Sequence, residues 1–377
     1  MKIVVPKESD PREQRVALTP DAVRGLLKKG FTCAVEADAG AGAYFLDDAY
    51  RAAGAEVVPD FDTLMLSADV VLKVNAPTTD EARRLRPGAT LISFLYAYTV
   101  PEVLAILQER RVNAFAMDAV PRISRAQKMD ALSSQANLAG YKAVLLGANA
   151  LGRIFPLMMT AAGTVTPAKV LIFGAGVAGL QAIATARRLG AVVEVTDVRP
   201  ETKEQVESLG GRFLEVEGEG ITTEGGYARE VSAEYLKRQQ AMVARHVADA
   251  DLVITTALVI GKRAPLLVSE ETVRQMRPGA VIVDMAVASG GNCALSERDR
   301  TVVKHHVTII GESNLPARLA VHASELYAKN LTALLLHLTA EGAFKWEEEE
   351  VTQGALIVRD GALVHAFTKE ILAKTTS

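Results

Sequence analysis

The stretch KVLIFGAGVAGLQAIATARRLGAVVEVTD, residues 169–197, leaves a chain few ways to fold. KVLIF is a short, β-branched apolar run, as in a buried parallel strand. Gly174, Gly176 and Gly179 follow it directly and open LQAIATARRLG, which has helical spacing and stops at Gly190. A second strand-like run, VVEVTD, closes on Asp197. In such a unit the glycines have separable tasks. Gly174 permits a tight turn, Gly176 lets backbone approach a pyrophosphate, and Gly179 lets helix pack on strand. The helix start, with Val177 and Ala178, presents free N–H groups and a positive dipole end to phosphates. Asp197 is placed to accept hydrogen bonds from adenosine ribose hydroxyls and to repel a 2′-phosphate, so the expected dinucleotide is NAD(H). Val198 and Arg199, which follow it, are expected to be cofactor-binding too, and the arginine complicates the choice because a guanidinium can receive a 2′-phosphate.

The same rhythm runs through the rest of the chain. RFLEV, DLVITT, AVIVDM and VTIIG continue the strands of the second half, and KIVVP, FTCAVEAD, AEVVP, DVVLKV, ATLISFL and VNAFAMD form a comparable series in the first. Helical stretches such as PDAVRGLLKKG and PEVLAILQERR lie between them. No strand of the first half is followed by a GxGxxG turn, so that half can share the architecture without cradling a pyrophosphate. The expectation is an α/β protein of two Rossmann-like, doubly wound parallel-sheet domains with a cleft between them. A length of 377 residues suits two cores rather than one. The long helical run 321–338 lies beyond the last strand of the second series, which suggests a return to the first domain. Residues 1–130 plus 315–377 are expected to form a discontinuous N-terminal domain, and residues 131–314 the NAD(H)-binding domain.

Composition excludes several classes. A net charge of −3, with both signs mixed along the chain, offers no basic stripe for nucleic acid. The cluster WEEEE at 346–350 reads as a solvated face. Two distant cysteines, Cys33 and Cys293, fit a reducing compartment. From Ile154 to Ala186 the only charge is Lys169, but Pro156, Pro167 and the glycines break the run, so it reads as loop, strand and turn rather than a membrane span. No HExxH, CxxC or GxSxG pattern appears, and no metal site is expected. The six histidines (246, 305, 306, 322, 337 and 365) all read as surface or helix-end residues.

A polar string, PRISRAQKMDALSSQANLAGY at 121–141, stands out midway along the chain. It contains no histidine or cysteine, no obvious nucleophile and no metal-ligand set, yet it is too polar for a core strand. An ordinary dehydrogenase moves a proton with its hydride and needs an acid or base. Direct transfer between two nicotinamides needs neither. It requires positioning, which can supply on the order of 7–11 kcal/mol, and hydrogen-bonding side chains that fix a carboxamide, ribose and pyrophosphate.

This string, together with AAGTV, VLIFG, GVAGLQAIATA, TDVR, TKEQVESLGG, VDMAV and SGGNC, strongly resembles the proton-translocating NAD(P) transhydrogenases, in their soluble NAD(H)-binding alpha component. The likeness runs from KIVVPKE to KNL at 329–331. It implies that Arg122, Gln127, Asp130 and Ser133 hold the nicotinamide end of NAD(H), with Gln127 between the two nucleotides. It also implies that Tyr141 lies at the site and that Tyr227, in EGEGITTEGGYARE, rides on a loop closing over bound nucleotide. The implied partners are an NADP(H)-binding subunit and a membrane-spanning subunit that carries protons, with this chain as a homodimer. The sequence ends at Ser377 without a membrane segment, so the expected place is cytoplasmic, peripheral to the membrane through those partners.

The same superfamily contains alanine dehydrogenases. Arg15 and Lys73 match residues that bind the keto acid there, but the catalytic histidine falls at Tyr96 and the active-site aspartate at Ala288. With both proton-handling positions absent, a structural role for Arg15 and Lys73 is expected. A third alternative is an NAD-binding regulatory protein without catalysis.

Overall fold

The computed structural model describes residues 1–215, 233–259, 261–346 and 349–375. They form two compact units: Met1–Gln135 with Pro316–Ser377, and Ala136–Leu315. The helix Ala131–Ala150 starts in the first and ends in the second.

The first unit is built on strands β1 (Lys2–Val5), β2 (Thr32–Glu36), β3 (Glu56–Val58), β4 (Val70–Leu72), β5 (Thr90–Ser93) and β6 (Asn113–Ala116). They pair in parallel in the order β3-β2-β1-β4-β5-β6. That is the strand order of a dinucleotide-binding sheet, with its reversal between β1 and β4. Successive residues bury on opposite faces: Ile3, Val5, Val70 and Leu72 on one, Val4, Ala34, Val71 and Leu91 on the other. Both faces are therefore covered, as the near-continuous apolar runs require. Beyond β6 the sheet gains the antiparallel strands Leu356–Arg359 and Ala362–Leu363, contributed by the C-terminal part of the chain. The helix Ala320–Leu338 packs its buried residues, including Tyr327, Leu331, Leu334 and Leu338, into the core of this unit.

In the second unit, β7 (Lys169–Phe173), β8 (Val192–Thr196), β9 (Arg212–Phe213), β10 (Leu252–Thr255), β11 (Val281–Asp284), β12 (Arg300–Lys304) and β13 (Val307–Gly311) form one sheet. Its order is β9-β8-β7-β10-β11-β13-β12, parallel except for the terminal hairpin of β12 and β13. The sequence does not announce β12, because RTVVK is exposed along nearly its whole length and carries no buried-strand signature. Residues Met158–Thr160 and Gly163–Val165, expected as loop, pair as a separate hairpin with every residue exposed. No helix among the described residues is long and apolar enough to cross a membrane.

Small residues let the helix Ala131–Ala150 lie close to this second sheet. A Cβ on Gly140 would run into the Ala178 carbonyl, and one on Gly147 into the Leu252 side chain. Ala139, Ala143 and Val144 fill the same face.

Candidate functional site

At the end of β7 the chain turns through Gly174 with φ +96°, a conformation that excludes most side chains. Its N–H bonds the Thr196 carbonyl at 2.9 Å, tying the turn to β8. A Cβ on Gly174 would strike the Thr256 hydroxyl, which itself donates to the Phe173 carbonyl at 2.9 Å. A Cβ on Gly179 would strike the Gly174 carbonyl, so this glycine is the helix-to-strand contact. Gly176 differs from both. It caps the helix Val177–Arg188, and a Cβ there would meet nothing within 4 Å. Space therefore stands open above the helix N-terminus, where Val177 is exposed and the first N–H groups have no intrahelical acceptor. These features fit a pyrophosphate.

Asp197 follows β8, with a side chain only 5% exposed. Its Oδ2 accepts the Ala175 N–H at 2.6 Å, and its Oδ1 the Arg199 N–H at 2.8 Å. The Arg199 guanidinium closes the set, donating from Nε to Oδ1 and from Nη2 to Oδ2, each at 3.0 Å. Burial pushes the Asp197 carboxyl up, but these hydrogen bonds outweigh it and hold the group below the usual carboxylate range. A fixed anion at this strand end suits a ribose. Beside it Val198 is 87% exposed, an apolar surface large enough to meet part of a base.

The 121–141 string folds as a short turn followed by a helix. Ser124–Met129 forms a 3₁₀ helix, in which residues three apart share one face. Ile123, Ala126 and Met129 follow that period and pack on the core of the first unit, leaving Arg122, Arg125, Gln127 and Lys128 exposed. Among the described residues neither the Arg122 guanidinium nor the Gln127 amide has a hydrogen bond, so both are free for a ligand. Asp130 and Ser133 are engaged with each other. The Asp130 carboxylate accepts the Ser133 N–H at 2.8 Å and the Ser133 hydroxyl at 2.6 Å. That is an N-cap for the helix Ala131–Ala150, a role their residue types alone did not reveal. Tyr141 lies farther along that helix and is partly exposed. Tyr227 lies outside the described residues.

Three further groups hold the string in place. Asn330 donates to the Lys128 carbonyl at 2.9 Å and accepts the Ser134 hydroxyl at 2.7 Å. Gln135 donates to the Ala323 carbonyl at 3.0 Å and accepts from Arg15 at 2.8 Å. Arg125 lies against Glu349 at 3.2 Å and Glu350 at 3.4 Å. Within WEEEE, Glu350 is exposed, and Trp346 and Glu349 are partly covered. Glu349 caps the helix Glu350–Ala355 and accepts from His337 at 2.9 Å, while Trp346 stacks on Phe344 and under Arg359. Residues 347 and 348 lie outside the described set.

Arg15 and Lys73 are committed internally. Arg15 forms a two-pronged ion pair with Glu13, at 2.8 and 2.6 Å, with both side chains buried. Lys73 sits between Glu81 at 3.2 Å and Glu8 at 3.4 Å. Burial raises the Glu8 carboxyl above its ordinary range despite the neighbouring Lys73. Two buried cations are thus held by three carboxylates of the same unit, which supports the structural role expected of both. Tyr96 adopts a left-handed backbone, φ +43°, held by its N–H and that of Leu95 on the Asp118 carboxylate. Ala288 is an exposed residue of the turn Val287–Ser289.

The VDMAVASGGNC stretch, which carries no evident physical role as a string of letters, wraps around Asp284. The Asp284 carboxylate is fully buried and accepts from Thr255, Ser296 and the N–H groups of Ala286, Asn292 and Cys293, at 2.7–3.1 Å. Gly291, at φ +77°, leaves no room for a Cβ against that carboxylate. A glycine pair after a strand-terminal aspartate was the available signal. Four histidines make local contacts: His246 with Glu194, His305 with Glu270, His337 with Glu349 and His365 with Thr368.

The chain is similar to several known proteins. The alanine dehydrogenase/PNT N-terminal domain model matches residues 4–139, and the C-terminal domain model residues 143–366. The chain is 52% identical to the first portion of the NAD(P) transhydrogenase subunit alpha of Rhodospirillum rubrum, over 97% of this chain and 98% of that one. Among solved structures it is similar to a transhydrogenase from Sinorhizobium meliloti, with TM-score 0.86, 43% identity, and 97% and 100% of the two chains covered. It is also similar to an L-alanine dehydrogenase, with TM-score 0.85, 30% identity and 99% of each chain covered.

Proposed function

The chain belongs to the alanine dehydrogenase/PNT family, and from that premise we propose that it is the NAD(H)-binding subunit of a proton-translocating NAD(P) transhydrogenase. In this reading NADP(H) is held by a partner subunit and a membrane-spanning subunit carries the protons. The observation that carries it is the pairing of an exposed amide and guanidinium, Gln127 and Arg122, with the loss of both proton-handling positions at Tyr96 and Ala288.

When bound, the two nucleotides supply the redox chemistry: a hydride passes from one nicotinamide C4 to the other with no net proton. The residues of this chain bind and orient. Gly176 and the first N–H groups of the helix Val177–Arg188 receive the pyrophosphate, and Asp197 receives the adenosine ribose. Arg122 and Gln127, with Asp130 and Ser133 at the following helix start, hold the nicotinamide end. The rigid seat of the 3₁₀ turn on Ile123, Ala126 and Met129 limits how far Gln127 can wander, which is what positioning catalysis demands. Tyr141 and Tyr227 complete the contacts by resemblance. The exposed apolar hairpin around Met158 and Met159, the latter 76% exposed, supports a homodimer. The working place is the cytoplasmic face of the membrane, reached through the partner subunits.

The test is binding and transfer with the purified chain. It should bind NADH well and NADPH poorly, and transfer hydride only when an NADP(H)-binding partner is added. A second reading, alanine dehydrogenase, draws on the equally close fold of that enzyme. Turnover of pyruvate and ammonia with NADH by this chain alone would decide for it. A regulatory NAD-binding role would be favoured if Gln127→Ala left partner-dependent transfer unchanged.

A further inference from the structure

A carboxylate offers about four acceptor positions on its two oxygens. On Asp197 four donors of the chain itself fill them. Two are backbone N–H groups fixed by the fold, Ala175 on Oδ2 at 2.6 Å and Arg199 on Oδ1 at 2.8 Å. The other two belong to one side chain, the Arg199 guanidinium, through Nε on Oδ1 and Nη2 on Oδ2 at 3.0 Å each. The partners are unequal. Asp197 is 5% exposed and anchored between β7 and β8, whereas the Arg199 side chain is 51% exposed and hydrogen-bonded to nothing else among the described residues.

A vicinal ribose diol is a two-donor group that would address the same pair of oxygens from solvent. The backbone donors cannot leave without unmaking the turn at Gly174. The guanidinium can leave by rotating its side chain into water. We propose that Arg199 is an internal competitor of the adenosine ribose, whose guanidinium occupies on Asp197 the two acceptor positions that the 2′- and 3′-hydroxyls require. This rests on the reading of Asp197 as the ribose acceptor. The guanidinium then sets the threshold for nucleotide capture. It keeps the buried carboxylate satisfied until a ligand brings two donors of its own. A ligand with a 2′-phosphate brings only one donor and an added negative charge, and cannot replace the fork.

The pair is half-exposed, and such ion pairs contribute modestly, so removing the competitor should tighten binding by about fivefold. The measurement is calorimetric titration of NADH, AMP and 2′-deoxy-AMP into the wild type, Arg199→Ala and Arg199→Lys. Both variants should bind NADH and AMP more tightly, and the gain should shrink for 2′-deoxy-AMP. Lysine keeps the positive charge that phosphates feel but lacks the two-donor fork, so a gain in both variants assigns the effect to the fork. Unchanged or weaker AMP binding in Arg199→Ala would make Arg199 a nucleotide contact and overturn the proposal. If the wild type bound neither NADH nor AMP, the NAD(H) reading itself would fall, and this one with it.

Discussion

Ser134 and Asn330 stand 196 residues apart in the chain and meet in a 2.7 Å hydrogen bond. The other arm of Asn330 reaches the Lys128 carbonyl, so one side chain spans the junction between the 3₁₀ turn and the helix that follows. Gln127 lies beside that clamp. Asn330→Ala removes two part-buried hydrogen bonds, while the Ser134 hydroxyl keeps its bond to the Ala131 carbonyl, so the cost should be about 1 kcal/mol, readable by urea unfolding. Under the proposed function, partner-dependent transfer should fall more than NADH affinity. Asn330→Asp keeps the acceptor for Ser134 and loses the donor to Lys128, so it should be intermediate in transfer.

Asp130 can act as a helix cap, as a nicotinamide ligand, or as both. Asp130→Ala should cost about 1 kcal/mol of stability through the lost cap. Asp130→Ser retains a capping oxygen and should restore most of that stability. If the carboxylate also holds nicotinamide, transfer stays low in both variants. Recovery of transfer in Asp130→Ser would reduce its role to the cap.

The glycines of the turn make opposite predictions. In Gly179→Ala the added methyl overlaps the Gly174 carbonyl, so the variant should be destabilised by several kcal/mol, on the order of a badly overpacked site. In Gly176→Ala the methyl enters open space. That variant should melt like the wild type yet bind NADH weakly, because the methyl stands where the pyrophosphate approaches. Thermal melting and NADH fluorescence titration separate the two.

Acid should act through Glu349. Burial pushes its carboxyl up, but hydrogen bonds from His337, Thr352 and Val351 outweigh this and bring it down to about 2 from an ordinary 4.5. A depressed folded-state value means the group stabilises the fold above the ordinary carboxylate range. That contribution is lost as pH falls from about 4.5 to about 2. Glu349→Gln should therefore be less stable at neutral pH and lose less stability across that window. Urea midpoints measured at stepwise pH test this, and parallel curves for the two proteins would contradict it.

Much of the fold was readable because parallel strands buried on both faces leave continuous apolar runs. Lys169–Phe173 and Val307–Gly311 coincide with the expected strands, and the glycine turn falls where the motif placed it. The antiparallel strands at sheet edges were not readable. LIVR at 356–359 pairs with β6 from far along the chain, and RTVVK has one partner and an exposed face. The candidate site was legible as residue types, and its support was not. Nothing local in the sequence ties Asn330 to Lys128 or Glu349 to Arg125. These are long-range pairings that only the folded backbone creates. Asp197 and Arg199 stand two residues apart, yet the letters TDVR cannot say that the arginine folds back onto the carboxylate.

Direct hydride transfer organised by Gln127 is read out by single-turnover transfer from NADH on this chain to an NADP+ analogue on an added NADP(H)-binding partner, for wild type and Gln127→Ala. Rapid transfer is expected in the wild type. In the variant the rate should fall by tenfold or more, about 1.4 kcal/mol or more in the barrier, with NADH affinity changed far less. Equal transfer rates in the two proteins, at saturating NADH, would contradict it.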